Sequence, residues 1–349
     1  MKPQFHAAFG RQESVPEVAV LSQVAEQSGF THVSFPDQPA LNRDVWVEMA
    51  AAAMATKHIH IGPGVTDPFT YHPMLIANAV ASVDELSGGR AFAGIGAGGR
   101  FGKDMNPIPM QDLREAAQFI KKFMVGEEAE YKGLKVHSEW IRRPVPLVMA
   151  IDGPRGHEIA GEFADAVYVQ SVHPVTVKWR MELIEKAASK ARRDPSQIAM
   201  LPSTNIYIAD SKQEAHREVA AQTAAKLRTA YALWGKSPES EELRRRLDQD
   251  DPGLLDELRR VKTKVDDLIG NPQGPIDYQH QQFDAPYAKP ITQRVIDYFQ
   301  LVGSADDISE RLAQLRQLGI GGVLATMYAY VDKKGMMQEI GRKIIPQFS

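Results

Sequence analysis

The stretch that most restricts what this chain can fold into runs from Ile61 to Gly99: IGPGVTD, then LIANAVASVDELSGGR, then AFAGIGAGG. Ile59 to Val65 carries β-branched residues up to a loop that begins at Thr66 and Asp67, whereas Ala77, Val80, Ala81 and Leu86 fall on one face of a helix. An SGGR turn and a second apolar segment rich in glycine follow. Strand, helix and strand in that order form a βαβ unit, and a crossover of this length joins parallel strands. Both glycine-bearing loops then follow the carboxyl ends of strands, where barrels and open α/β sheets keep their ligands.

The alternation continues along the chain. Phe5 to Phe9 reads as a first strand and Val15 to Ser28 as an amphipathic helix, with Ser14 as N-cap and Gly29 at its end. His32 to Phe35 is a second strand, Trp46 to Lys57 a helix, Ile59 to Val65 a third strand, Met74 to Leu86 a helix, Ala91 to Ile95 a fourth strand and Met110 to Val125 its helix. Leu147 to Ile151, Val167 to Gln170, Ile198 to Ile208 and Val323 to Thr326 supply four more strands. Their helices are His157 to Ala164, Pro174 to Ala191, one from a cap at Asp210 or Ser211 to Tyr231, and one capped by Ser304. Eight repeats predict an α/β fold of the (β/α)8 TIM-barrel type with insertions, which 349 residues can build as a single domain, 1–349.

The surplus lies between Trp234 and Pro290. Glu239 to Lys264 reads as two charged amphipathic helices broken at Asp251, Pro252 and Gly253, a solvated insertion. Residues 271–290 are too long and too aromatic for a plain connection and are expected to cover a substrate.

Composition removes whole classes of chemistry. With no cysteine there are no disulfides, thiolate metal sites, iron–sulfur clusters or cysteine nucleophiles. A net charge of −3 gives no reason to expect nucleic acid or an anionic membrane as partner. No apolar run is long enough for a signal peptide or a bilayer span, so a cytoplasmic location is expected. The histidines lack the HExxH spacing of a zinc site, and no metal is expected.

Two glycine clusters carry the functional signal. Gly94, Gly96 and Gly99 have the GxGxxG spacing of a dinucleotide-binding fold, but that fold wants its third glycine in the first turn of a helix. Here Arg100 to Pro109, with two prolines and a glycine, intervenes before the helix near Met110. Gly153, Pro154, Arg155 and Gly156 precede a helix with proline placed early, where its missing N–H costs nothing. The free amides of that turn can receive a phosphate, although an ordinary βα turn has the same pattern. The barrel reading also places His6 and His72 near the active mouth as candidate proton donors, and Asp37 at the end of the second strand.

The loop GPGVTDPFTYHP, the helix ending in DELSGGR and the following GIGAGG resemble the luciferase-like superfamily of flavin and deazaflavin oxidoreductases. NRDVW (Asn42 to Trp46) and IDGPRGHEIAGEFADAV (Ile151 to Val167) extend the resemblance, which points to the methylenetetrahydromethanopterin reductase type. The second half of the chain is similar to the family only in its order of elements. The resemblance implies a reduced coenzyme F420 that passes a hydride from C5 to a small-molecule substrate at an imine, carbonyl or methylene-pterin carbon. FMN with oxygen, in a monooxygenase, is the alternative, and a non-catalytic flavin-binding barrel is a third reading. It further implies a non-proline cis peptide within Gly64, Val65 and Thr66 behind the ring, with Gly96, Ala97 and Gly98 letting backbone approach it. Gly153 to Gly156 would take a cofactor phosphate, and Gln170 belongs with the cofactor-binding residues. Where the family commonly has histidine after the aspartate, this chain has Gln38, which can hydrogen-bond but cannot protonate anything. Family members commonly dimerise, so a homodimer or higher homo-oligomer is expected.

Overall fold

The structure, a computed structural model, describes residues 3–10, 13–39, 41–98, 108–269, 286–328 and 330–348. Its frame is built from β1 (Gln4–Ala8), β2 (His32–Phe35), β3 (His60–Pro63) and β4 (Ala93–Gly96), alternating with α1 (Val15–Gln27), α2 (Val45–Ala55), α3 (Pro73–Ser87) and α4 (Met110–Met124). An antiparallel hairpin, β5 (Ala129–Tyr131) and β6 (Leu134–Val136), interrupts the series where the sequence showed only a connector. The series resumes with β7 (Leu147–Ala150), α5 (Pro154–Phe163), β8 (Ala166–Gln170), α6 (Pro174–Lys190) and β9 (Ala199–Thr204). The expected seventh strand stops there. Asn205 gives its N–H to Gln300 Oε1 at 2.7 Å, so β10 (Ile206–Ile208) leaves the barrel and pairs instead with β11 (Leu301–Gly303).

Between those two strands lie α7 (Lys212–Arg228), α8 (Tyr231–Trp234), α9 (Pro238–Asp250), α10 (Leu254–Ile269) and α11 (Gln293–Phe299). They are followed by α12 (Ala305–Gln317), β12 (Gly322–Thr326), α13 (Lys333–Lys343) and α14 (Ile345–Phe348). The helices start where the chain offers acceptors for their free N–H groups. Ser14 with Glu17 forms a capping box on α1, and Ser304 with Asp307 forms another on α12. Proline at the first position brings α5 forward to Pro154, ahead of the His157 expected from the apolar pattern.

The main sheet has the order β3-β2-β1-β12-β9-β8-β7-β4, with every neighbouring pair parallel. Parallel bridges Ile61 to Ala91 and Thr66 to Ile95 then join its two edges, so the sheet closes into an eight-stranded barrel. That closure replaces the dinucleotide-fold alternative. The barrel buries both faces of its strands. One face packs on the helices through residues such as Val33, Ile61, Leu147 and Val167; the other forms an internal cluster of Ala8, Phe92, Val148, Ala166, Tyr168, Ala199, Leu201 and Leu324.

The insertion is more than a solvated pair of helices. Leu243, Leu247, Leu258 and Val265 are completely buried, packed with Val219, Leu227 and Val295 in a second apolar cluster, while the charged faces of α9 and α10 point outward. Most of the expected substrate cover, residues 271–285 of 271–290, lies outside the described residues.

One residue of the helical layer breaks the apolar rule. Glu48 of α2 is completely buried, and neither carboxyl oxygen has a hydrogen-bond partner. It lies under the turn at Gly10 (φ +103), where a Cβ would stand 3.1 Å from Glu48 Oε2. Burial above all, reinforced by Glu13, pushes its pKa up to about 8. A carboxyl whose folded pKa is raised favours the folded state below its unfolded pKa and loses that contribution as pH rises through the folded value. Between roughly pH 4.5 and 8 the wild type should therefore lose a few kcal/mol that Glu48→Gln does not lose. Urea unfolding of both proteins at pH 5 and pH 8.5 checks this; an unchanged stability difference at the two pH values would unlink Glu48 ionisation from folding.

Candidate active site

The site is built around the seam between β3 and β4. A Cβ on Gly94 would come 2.0 Å from Pro63 O, and one on Gly96 would come 2.9 Å from Val65 Cγ2. Only glycine lets these two strands approach so closely. The Gly64–Val65 peptide bond is cis. Past it, Thr66 exchanges backbone bonds with β4, donating to Gly94 O at 3.0 Å and accepting from Gly96 N–H at 2.9 Å. The loop is then fixed by Asp67, whose Oδ1 accepts from Phe69 N–H at 2.9 Å and Thr70 N–H at 2.8 Å. Gly98 (φ +67) sits against Asp67, so a side chain there would meet both strain and a wall. The result is a floor at the barrel mouth with almost no side chains on the β4 side.

Asp37 stands beside this floor, immediately after β2. It is buried, and its Oδ2 accepts a hydrogen bond from Thr66 Oγ1 at 2.5 Å. Burial pushes its pKa up to about 6; the Thr66 bond opposes the shift, while the carboxylates of Asp67 and Asp44 add to it. A wall beyond Asp37 is made by Trp46 and Tyr71, packed edge to face at 5.8 Å, and by Asn42. Asn42 donates to Pro36 O at 2.6 Å, which leaves its Oδ1 buried and unpartnered. At the end of β8, Gln170 donates weakly to Thr229 Oγ1 at 3.3 Å and leaves its Oε1 in the same condition. Buried acceptors without donors are uncommon in folded proteins, and at a barrel mouth they suit ligand N–H or O–H groups.

A second corner opens at the carboxyl end of β7. Gly153 is the N-cap of α5, no side chain caps that helix, and a Cβ on Gly153 would meet nothing within 4 Å. Arg155 is exposed at the same turn. The loop is held from behind by Arg180, which pairs with the Asp152 carboxylate and donates to Asp152 O at 2.9 Å. Asp152 Oδ2 also accepts from Ala232 N–H at 2.7 Å, tying the corner to α8. Pro154 has no N–H and Gly156 donates to Gly153 O at 3.0 Å, so the Arg155 N–H, the open approach and the Arg155 guanidinium are what suit a phosphate. Gly156, in contrast, is buried, and a Cβ there would come 3.0 Å from Ile151 Cβ, so it shapes the turn from inside.

The two histidines expected at the mouth are elsewhere. His6 lies two residues below the end of β1 and points into the barrel. Its ring stacks on His32 at 3.8 Å, and its Nδ1 is 2.6 Å from the hydroxyl of Tyr168. Complete burial pushes its pKa down to about 3, so its imidazole is neutral near pH 7 and is not a general acid there. His72 is the N-cap of α3: its Nδ1 accepts from Met74 N–H at 3.1 Å, and its ring packs edge-on against Tyr131 and Phe119 of the outer layer. Sequence reasoning missed Arg180 and Glu48. Asn42 stood inside the quoted NRDVW motif without being assigned a role. Gly99 lies outside the described residues, and no group of three or more metal-ligating side chains is found among the described ones.

Comparison with known proteins agrees with this geometry. The chain is 29% identical over 341 residues to the 5,10-methylenetetrahydromethanopterin reductase of Archaeoglobus fulgidus, covering 95% of each chain. It is 24% identical over 357 residues to the oxygenase component of the flavin-dependent trigonelline monooxygenase of Acinetobacter baylyi, covering 95% of this chain and 89% of that one. Among solved structures, the coenzyme F420 dependent tetrahydromethanopterin reductase from Methanopyrus kandleri superposes with a TM-score of 0.80 at 22% identity, covering 100% of both chains. The model of the luciferase-like monooxygenase family matches residues 2–321, and the chain therefore belongs to that family, as an oxidoreductase of its flavin-type class.

Proposed function

We propose that the protein is a deazaflavin-dependent reductase that works with coenzyme F420. The observation that carries this reading is the barrel mouth itself: a glycine floor flanked by the Asp37 carboxyl bonded to Thr66 and by the unpartnered acceptor of Asn42. Those groups fit the polar edge of a flat tricyclic ring, and the turn at Gly153, Pro154 and Arg155 fits the phosphate of its tail. Ala97 and Gly98 complete the floor, and Val65 projects toward it from the loop after β3. The likeness to methylenetetrahydromethanopterin reductases supports F420 over FMN and supports a pterin-borne electrophilic carbon as the substrate. When bound, the reduced cofactor supplies a hydride.

The chain's own residues do the rest. The floor and the phosphate corner hold the cofactor at both ends, which fixes its reacting face toward the open mouth. Asp37 is the acid nearest the ring seat, and with a pKa of about 6 it holds a proton in a useful fraction of molecules. Gln38 orients without exchanging protons. The likeness to a flavin-dependent monooxygenase keeps FMN with oxygen as the second reading.

Fluorescence titration of the purified protein with oxidised F420 and with FMN should give tighter binding for F420. Mixing reduced F420 with 5,10-methylenetetrahydromethanopterin should restore the absorbance of the oxidised cofactor. Tighter binding of FMN together with oxygen consumption would establish the monooxygenase instead. Asp37→Ala should slow the hydride-transfer step about a hundredfold, as expected for a lost general acid, with cofactor affinity changed far less. Gly153→Asp places a carboxylate in open space at the phosphate corner, so F420 affinity should fall at least tenfold, by charge repulsion, at an unchanged melting temperature. Wild-type affinity in that variant would remove the corner from the site.

A further inference from the structure

α7 lies over the carboxyl ends of β8 and β9, on the side of the barrel mouth away from the ring floor. Counting along the sheet from β3 through β2, β1 and β12 to β9 reaches the opposite side of an eight-stranded ring. There the Nζ of Lys226 donates to Ser203 O at 2.7 Å and to Gln300 Oε1 at 3.3 Å. Ser203 is the register partner of Gln170, and Gln170 bonds Thr229, one turn beyond Lys226 on the same helix. Lys226 and the unpartnered Oε1 of Gln170 therefore belong to one patch.

The electrostatics of this patch are incomplete. Both acceptors of the Lys226 ammonium are neutral, and Gln300 Oε1 is already engaged by Asn205 N–H at 2.7 Å. No acidic side chain among the described residues pairs with Lys226. Loss of water around the ammonium pushes its pKa down to about 7, while the residue as a whole is only partly buried. A desolvated cation without a counter-charge is costly, and an anion arriving with a ligand removes that cost. The remaining ammonium hydrogen and the free Gln170 oxygen offer one donor and one acceptor to the same ligand.

We propose that Lys226 is the anchor for an anionic oxygen of the substrate, a carboxylate or an equivalent group, at the barrel mouth opposite the ring floor, with Gln170 accepting a neighbouring donor. This rests on the mouth being the ligand site argued above, and it adds a substrate class to that reading: molecules with an electrophilic carbon and an anionic substituent.

The test uses the full-length protein and a flat probe pair matched in shape, benzoate and benzamide, at constant ionic strength and pH 6.5. Equilibrium dialysis should show at least a tenfold preference for benzoate in the wild type, loss of that preference in Lys226→Met, and partial retention in Lys226→Arg. Oxidised F420 should bind wild type and Lys226→Met equally, which also shows that the variant is folded. No preference in the wild type, or a preference that survives in Lys226→Met, would overturn the proposal. Loss of F420 affinity in folded Lys226→Met, judged by an unchanged melting temperature, would assign Lys226 to the cofactor and overturn it as well. A Lys226-dependent preference in a protein that binds neither F420 nor FMN would keep the anion site and remove the oxidoreductase reading, so the two failures are distinguishable.

Discussion

Everything at the mouth depends on how closely β3 and β4 approach. They are the two ends of the sheet, and the barrel exists only if they meet. The meeting is possible because Gly94 faces Pro63 O and Gly96 faces Val65 without a Cβ in the way. A strand pair needs room for side chains on alternate faces, and removing them on the inward face lets the seam close while leaving a bare surface. The same glycines that complete the fold thus create the flat floor. Closure and ligand seat are one steric solution.

In the interior, the low dielectric shifts several ionisable groups toward their neutral forms. Burial raises the pKa values of Asp37 and Glu48 and lowers that of Lys226. None of the three has a full counter-charge, in contrast to Arg180, whose pairing with Asp152 fixes the turn after β7. Structural charges in a protein are normally paired, whereas groups that must meet a ligand's charge or proton are left open until it arrives. By that criterion Arg180 is a positioning residue, and the proposed roles of Asp37 and Lys226 fit their open state.

The sequence made the eight-repeat order legible because each strand and helix carries its own period and its own cap. Ser14, Ser211 and Ser304 all accept the helix start expected of them. Which face of a strand looks into the barrel was not legible, because a barrel buries both faces and the alternation of apolar and polar residues is lost. His6 was misplaced for that reason: residues 4, 6 and 8 line the interior, and only the last of them reaches the mouth. Lys226 was hidden for a different reason. Its partners, Ser203 and Gln300, are 23 and 74 residues away, and only the departure of β10 from the barrel brings α7 over the strand ends.

Gln38, where the resemblance to the family leads one to expect histidine, bears on the proton that the proposed reaction needs. An amide can orient a ligand but has no proton to transfer at any accessible pH, so the acid function must pass to a neighbour. Asp37 is adjacent, and among the described residues it is the only carboxyl at the floor whose pKa is raised to about 6 while it also holds a hydrogen bond to the loop after β3. At pH 7 such a group is protonated in about a tenth of molecules, against less than a hundredth for an aspartate of ordinary pKa. In the proposed reaction, burial of Asp37 thus supplies part of the acid function that Gln38 cannot. The Thr66 bond works against it, since it stabilises the charged form. The balance between those two forces, both set by the loop that follows β3, decides how much acid the site can offer.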